Sequence, residues 1–321
     1  MGKQKIIITG GSGFIGTNLV EHYKDNYEVL NIDIVSPRNN AHKIYWEKID
    51  ILDNEHLVEA FKEFRPDFLF HMAARTDLEG KTLDDYNANI QGVKNIIIAI
   101  KSCNTIRQTI FASSRLVCKI GYNPINEFDY KPSTIYGESK IIGEKIVRGA
   151  EGLDNNWVVV RPTSLWGPWF DIPYKNFFDS IKRKVYVHPR GKAIHKKFGY
   201  VGNCIHILDA LLLNKSLNTK TLYLSDFEML EVKQWADLIS QQFHNKQAKT
   251  APYFVLKILA FLGDILKTLG LKSPPITSFR LNNLMTHMDY DTSNVEQLVG
   301  KLPYSLSEGT VITYNWYTTH N

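Results

Sequence analysis

Cysteine is scarce in this sequence, and none of it is arranged for chemistry. Cys103, Cys118 and Cys204 are odd in number and far apart, with no CxxC unit. That argues against a disulfide framework or a thiolate metal site and reads as reduced thiols in a cytoplasmic protein. No stretch of about twenty uncharged apolar residues exists, so no transmembrane helix is expected. The nearest approach, 253–271, is interrupted by Lys257, Asp264 and Lys267. It reads as an amphipathic helix packed on its own domain, with contact to a membrane surface as the alternative. Met1-Gly-Lys-Gln-Lys5 runs straight into an apolar stretch, leaving no space for a signal peptide. Charge of one sign is also lacking: 38 Lys and Arg against 33 Asp and Glu give a net +5. The basic runs 182–184 and 192–197 lack interleaved aromatics for stacking bases. No nucleic-acid partner is expected; a solvated face or a diphosphate-binding edge fits better. There is no internal repeat, no low-complexity segment and no metal-ligand spacing, so no metal is expected.

What is present is enough apolar residue, 44% of 321 with 12% aromatic, to bury a sizeable core. The first half alternates short β-branched runs with helical periodicity. Strands are expected at 6–9, 28–33, 44–49, 68–71, 109–112 and 157–160. Helices are expected after the glycine turn to about 24, then at 54–64, 83–102 and 133–148. Strands separated by helices of this length imply right-handed crossovers and a parallel sheet covered on both faces. The fold class expected is therefore α/β, a doubly wound parallel sheet, with a smaller discontinuous C-terminal lobe. The boundaries expected are 1–162 for the nucleotide-binding domain, re-entered near 203–226. The lobe takes 163–202 and 227–321, where Pro168, Pro173 and Pro189 break the rhythm.

Between the first strand and first helix lies Thr9-Gly10-Gly11-Ser12-Gly13-Phe14-Ile15-Gly16. Glycines let the backbone turn tightly against a pyrophosphate, whose charge faces the helix N-terminus. Asp33 closes the second strand, about twenty positions on, where a carboxylate accepts ribose hydroxyls and repels a 2′-phosphate. NAD is expected over NADP, although Arg38 lies close in sequence. Tyr136 and Lys140 stand four residues apart, on one face of a helix. A cation there is expected to lower the phenol's pKa, so that Tyr136 can take or return a hydroxyl proton.

The GxxGxxG spacing of Gly10, Gly13 and Gly16, followed by Ser113-Ser114 at a strand end and Tyr136-Gly-Glu-Ser-Lys140, resembles the extended short-chain dehydrogenase/reductases. Within them it is similar to the NAD-dependent epimerase/dehydratase family. The resemblance implies Ser114 as the catalytic serine, counted back from Cys118, which stands where the family has tyrosine; Ser113 is the alternative. It implies cofactor contacts at Gly10, Gly13, Phe14, Ile15, Gly16 and Asp33. Asp50 and Ile51 would lie at the adenine, and Met72, Ala73 and Ala74 at a strand end after His71. Asn89 would fix active-site backbone, and Tyr136, Lys140 and Pro162 complete the set. His71 itself reads as a satisfied core histidine.

For substrate the resemblance implies Ser114, Arg115, Ser164, Asn176, Lys196 and Arg280. Lys196 stands where relatives carry a diphosphate-gripping arginine, and lysine lacks its bidentate geometry. Sugar dehydratases carry an acidic pair after the catalytic serine; Arg115 and Leu116 cannot serve as that acid and base. The expected activity is a UDP-hexose 4-epimerase type of hydride removal and return on a nucleotide-diphosphate sugar. Alternatives are a dehydrogenase or ketoreductase of a nucleotide sugar or of a 3β-hydroxysteroid-like alcohol, and a non-catalytic NAD-binding scaffold. A homodimer through the helices at 83–102 and 133–150 is implied as well.

Overall fold

The computed structural model describes residues 2–153, 156–214, 221–269 and 276–320. A seven-stranded, all-parallel sheet organises the chain. Its first six strands in sequence are β1 (Lys5–Thr9), β2 (Glu28–Ile32), β3 (Trp46–Glu47), β4 (Phe68–His71), β5 (Gln108–Ala112) and β6 (Trp157–Pro162). The seventh, Thr221–Leu224, pairs with β6, so the spatial order runs from it through β6, β5, β4, β1 and β2 to β3. Four helices cross between the early strands: α1 (Phe14–Tyr23), α2 (Asn54–Phe64), α3 (Asn87–Ser102) and α4 (Ile135–Arg148). The chain reverses its direction of winding between β1 and β4, and a crevice at such a switch point is where open parallel sheets bind ligands.

The strands alternate faces as the pleat requires. Ile6 and Ile8 enter one core, and Ile7 enters another with Leu57, Ile96 and Val159. The first core does not stop at the sheet. It continues through Leu208 of the helix Val201–Leu213 into Trp166, Phe178 and Trp235, which belong to the second half. One difference from sequence expectation concerns the third strand. Residues 40–45 form a 3₁₀ turn and only Trp46–Glu47 pair with β2. Ile44 is 82% exposed; it faces solvent from the turn instead of a sheet face. The 3₁₀ turn is capped by Asn39, whose side chain accepts from the Ala41 amide, a local bond that competes with extension into a strand.

The candidate active site

The site lies where the C-terminal ends of β1, β4 and β5 meet the N-termini of α1 and α4. At the first of these, Gly10 takes a positive φ of 74° and donates to Ile32 O at 2.8 Å. Gly16 lies so close to the turn that a Cβ there would sit 2.1 Å from Gly10 O. Gly13 stands at the N-cap of α1, and no side chain caps that end. The peptide N–H groups of the first turn, including those of Phe14 and Ile15, are therefore available to an anion. This donor set fits a dinucleotide pyrophosphate. Asp33 accepts from Ser12 N at 3.0 Å and Val35 N at 3.1 Å. Burial pushes its carboxyl up, and the two amides oppose that. Two oxygens with about four acceptor sites leave room for ribose hydroxyls. Arg38 is engaged elsewhere: it donates to Ser12 O, to Trp169 O at 2.9 Å, and pairs with Asp171.

The remaining cofactor candidates lie at the ends of β4 and β6, on α3 and in the loop after β3. Met72 N donates to Thr9 O at 3.0 Å and Ala73 N to Thr9 Oγ1 at 3.4 Å, with Ala74 next in line. Thr9 Oγ1 also meets His71 Nδ1 at 2.8 Å. Burial lowers the His71 pKa to about 3, so the ring is a neutral core group. Asn89 accepts from Arg75 N at 2.9 Å and donates to Arg75 O and to Ser139 Oγ, tying the segment after β4 to α4. Asp50 is exposed and accepts from Leu52 N, whereas Ile51 is buried. Pro162 ends β6 opposite Leu224.

Tyr136 and Lys140 project from α4, whose first turn presses on the short turn Arg115–Val117. A Cβ on Gly137 would lie 2.2 Å from Leu116 O, so only glycine permits this approach. Ser114 caps the short turn: its Oγ accepts from Leu116 N at 3.1 Å, which leaves its own proton to donate. Burial holds the Tyr136 phenol above its ordinary pKa, while the Ser114 hydroxyl and the Arg115 charge pull it down. The expected effect of Lys140 on this phenol is not what the geometry gives. Lys140 Nζ instead donates to Ala112 O at 3.0 Å, and burial lowers its pKa to about 8. The cation acting on Tyr136 here is Arg115.

Beneath the lysine lies a cluster that sequence reasoning missed. Glu144, one helical turn after Lys140, accepts from Arg161 Nε and NH2 at 2.8 Å, from Ser113 Oγ at 2.5 Å and from Tyr130 OH at 2.9 Å. Glu144 and Arg161 are both almost wholly buried. Ser113 is thereby committed to Glu144, and Ser114 is the serine that faces Tyr136. The i,i+4 spacing of Lys140 and Glu144 was a visible signal; nothing local marked Arg161 as its partner.

Among the substrate candidates, the structure brings together Arg115, Ser164 and Lys196. The Arg115 charge acts on both Tyr290 and Tyr174, and the buried Ser164 Oγ has no hydrogen-bond partner among the described residues. Lys196 is buried and donates to Asn283 O and Thr286 O, both at 2.8 Å. Burial, and then Arg115, bring its pKa down to about 8. Asn176 and Arg280 are exposed, on the helices Tyr174–Lys182 and Ser278–Met285. Tyr290 and Tyr174 carried no sequence signal.

A sequence profile described as the NAD dependent epimerase/dehydratase family matches residues 6–217. The chain belongs to that family. It is accordingly an NAD-dependent enzyme, and NAD is the cofactor whose binding features are described above. The undecaprenol-linked N-acetyl-glucosaminyl-diphosphate 4-epimerase of Escherichia coli O157:H7 is 24% identical over 98% of this chain and 96% of its own. A 3-beta-hydroxysteroid dehydrogenase of Mycolicibacterium neoaurum is 29% identical over 63% of this chain and 59% of its own. Among solved structures, the UDP-glucose 4-epimerase of Thermotoga maritima with UDP-glucose overlays with a TM-score of 0.74 at 19% identity, covering 98% and 99% of the two chains. That family member has the same fold.

Proposed function

We propose that this chain is a 4-epimerase of a hexose carried on a diphosphate, with Ser114, Tyr136 and Lys140 as its catalytic residues. The observation that carries the reading is the Ser114 hydroxyl acting on the Tyr136 phenol beside a buried Lys140, with no acid at positions 115 and 116. When bound, NAD supplies the acceptor and donor of hydride. Tyr136 takes the proton from the C4 hydroxyl as that carbon is oxidised and returns it to the oxygen on reduction. Ser114 donates to the same oxygen and orients it toward Tyr136. Lys140, held at Ala112 O, would offer its remaining donors to the nicotinamide ribose, while Arg115 is the cation that favours the phenolate. Arg115 and Lys196 supply charge for the diphosphate. The reaction is redox-neutral, because one carbon is oxidised and then reduced with the same cofactor.

The carrier on that diphosphate is a polyprenol in this reading, supported by the likeness to the lipid-linked epimerase along nearly the whole of both chains. A UDP-hexose shares the same diphosphate and is the form the sequence resemblance implied. Residues 163–202 and 227–321 act as the substrate lobe, and the enzyme works as a homodimer through α3 and α4. A second reading, dehydrogenation of a sterol-like alcohol, is favoured by the Mycolicibacterium relative and by the exposed apolar face of the helix Tyr253–Thr268.

Denaturing freshly purified protein and identifying the released nucleotide separates the two. Near-stoichiometric NAD with no net NADH during turnover fits epimerisation; protein without cofactor that accumulates NADH on a hydroxysteroid fits the second reading. Tyr136→Phe is expected to keep NAD while losing activity by about a hundredfold or more, the usual contribution of a general base. Epimerisation of polyprenyl-diphosphate and UDP-linked N-acetylhexosamine by the two proteins is the assay.

A further inference from the structure

We propose that the helix Tyr253–Thr268 is a docking surface for an anionic lipid bilayer, lying flat on it. The helix is fastened along one narrow stripe, where Leu256 and Ala260 pack with Leu281 of the helix Ser278–Met285. Much of the rest of its circumference is apolar and open, with Lys257 and Asp264 beside the apolar strip. Phe254 is 65% exposed, Ile258 57% and Phe261 62%, and Leu262 and Ile265 continue the same face. Residues spaced three and four apart share one side of a helix, so these five form a continuous strip. Phe279 on the neighbouring helix is exposed too. No helix among the described residues is long and apolar enough to cross a membrane, so a bilayer would be met from its surface.

Charge decides the occupant. Lys192 Nζ and Lys257 Nζ lie 5.7 Å and 5.0 Å from the Tyr253 ring at the start of the helix. Exposed Arg190 stands in register with Pro252, the residue before it. Among the described residues none of these three pairs with a carboxylate. The helix's one acid, Asp264, is occupied by Ser278 N at 3.2 Å. Phenylalanine, leucine and isoleucine beside lysines with free charge is the chemistry of an interfacial helix meeting acidic headgroups. An isologous contact with a second copy would place this patch against itself, with no spare acid to meet its lysines.

The surface is also continuous with the candidate active site. The helix Ser278–Met285 rests on the docking helix, and the carbonyls of Asn283 and Thr286 at its end hold Lys196, beside Arg115. A lipid-linked substrate would thus meet the site while its tail stayed in the bilayer. The proposal rests on the epimerase reading for that purpose alone; the surface stands on its own observations.

The test is flotation of the full-length protein with phosphatidylethanolamine vesicles containing phosphatidylglycerol, and with phosphatidylcholine vesicles. The protein is expected to float with the anionic vesicles and much less with the neutral ones. The triple variant Phe254→Ser, Phe261→Ser, Ile265→Ser is expected to lose roughly tenfold or more in partition, as apolar burial drives interfacial binding. The pair Lys192→Glu and Lys257→Glu is expected to lose at least about fivefold per charge. Retained NAD and unchanged thermal unfolding establish that each variant is folded. Wild-type protein that stays down with anionic vesicles overturns the proposal. So does a folded triple variant that floats like wild type, including one that has lost self-association, which would make the face a contact between copies. Should the triple variant misfold, unchanged flotation of the lysine pair variant overturns it. Flotation as expected without epimerase activity would sink the functional reading and leave the docking surface standing.

Discussion

At the scale of single residues, the site is governed by what lies under Lys140. Burial strips the ammonium of water, and Glu144 partly restores the charged state by Coulombic attraction. With the lysine near a pKa of about 8 rather than its ordinary 10.5, raising the pH through that value removes a charged donor from the proposed cofactor side of the site. Glu144→Gln withdraws the negative charge and leaves Arg161 positive, so both changes push the lysine lower. The alkaline limb of kcat/KM is expected to move to lower pH in this variant, measured on NAD-loaded protein. Glu144 acts here as a positioning residue, and a purely structural role would leave that limb in place. The same substitution strands a buried guanidinium, which costs about 3–5 kcal/mol of stability, read by denaturant unfolding. Ser114, Tyr136 and Lys140 could be proposed from the sequence because the chemistry proposed for them is tied to fixed spacing on one strand end and one helix. Arg161 was not, since its partner comes from an element that adjoins it only after the sheet is assembled.

At the scale of elements, the glycine turn and α1 form one device: a strand end, a tight turn and an uncapped helix N-terminus. Gly16→Ala puts a methyl group where Gly10 O already stands, 2.1 Å away. The turn must shift, and the expected result is purified protein with little or no bound NAD and lowered NAD affinity on titration. The sequence disclosed α2 and β4 at their observed bounds, because strong apolar periodicity marks both ends. It overextended β3, where a short side-chain cap outcompeted a weak strand propensity. The loops that bring Tyr290 and Tyr174 to Arg115 have no period to read, and their placement follows only from tertiary packing.

At the scale of the whole molecule, α3 and α4 pack on one another, with Ile98 of α3 46% exposed. If they pair with their counterparts in a second copy, Ile98 is part of that seam. Ile98→Asp is expected to convert a dimer to a monomer in sedimentation velocity while leaving bound NAD in place; a wild-type monomer would remove the dimer from the proposal. The doubly wound sheet was readable from the alternation of strands and helices, whereas the extension of one core through Trp166 and Trp235 was not. Trp166 stands on a strand of three residues, too short for a period to read, and the helix Val232–His244 shows its apolar face in sequence without showing what that face packs against.

Two side chains fasten the phosphate-binding turn to the loop after β6: Asn18 donates to Pro168 O at 3.0 Å and Arg38 to Trp169 O. Opening the turn therefore means breaking bonds between distant parts of the chain. In the epimerase proposed here, a coenzyme so strapped would be a resident and not a visitor. Output would then follow the supply of sugar alone, insulated from swings in the oxidised-to-reduced coenzyme ratio of the surrounding cell.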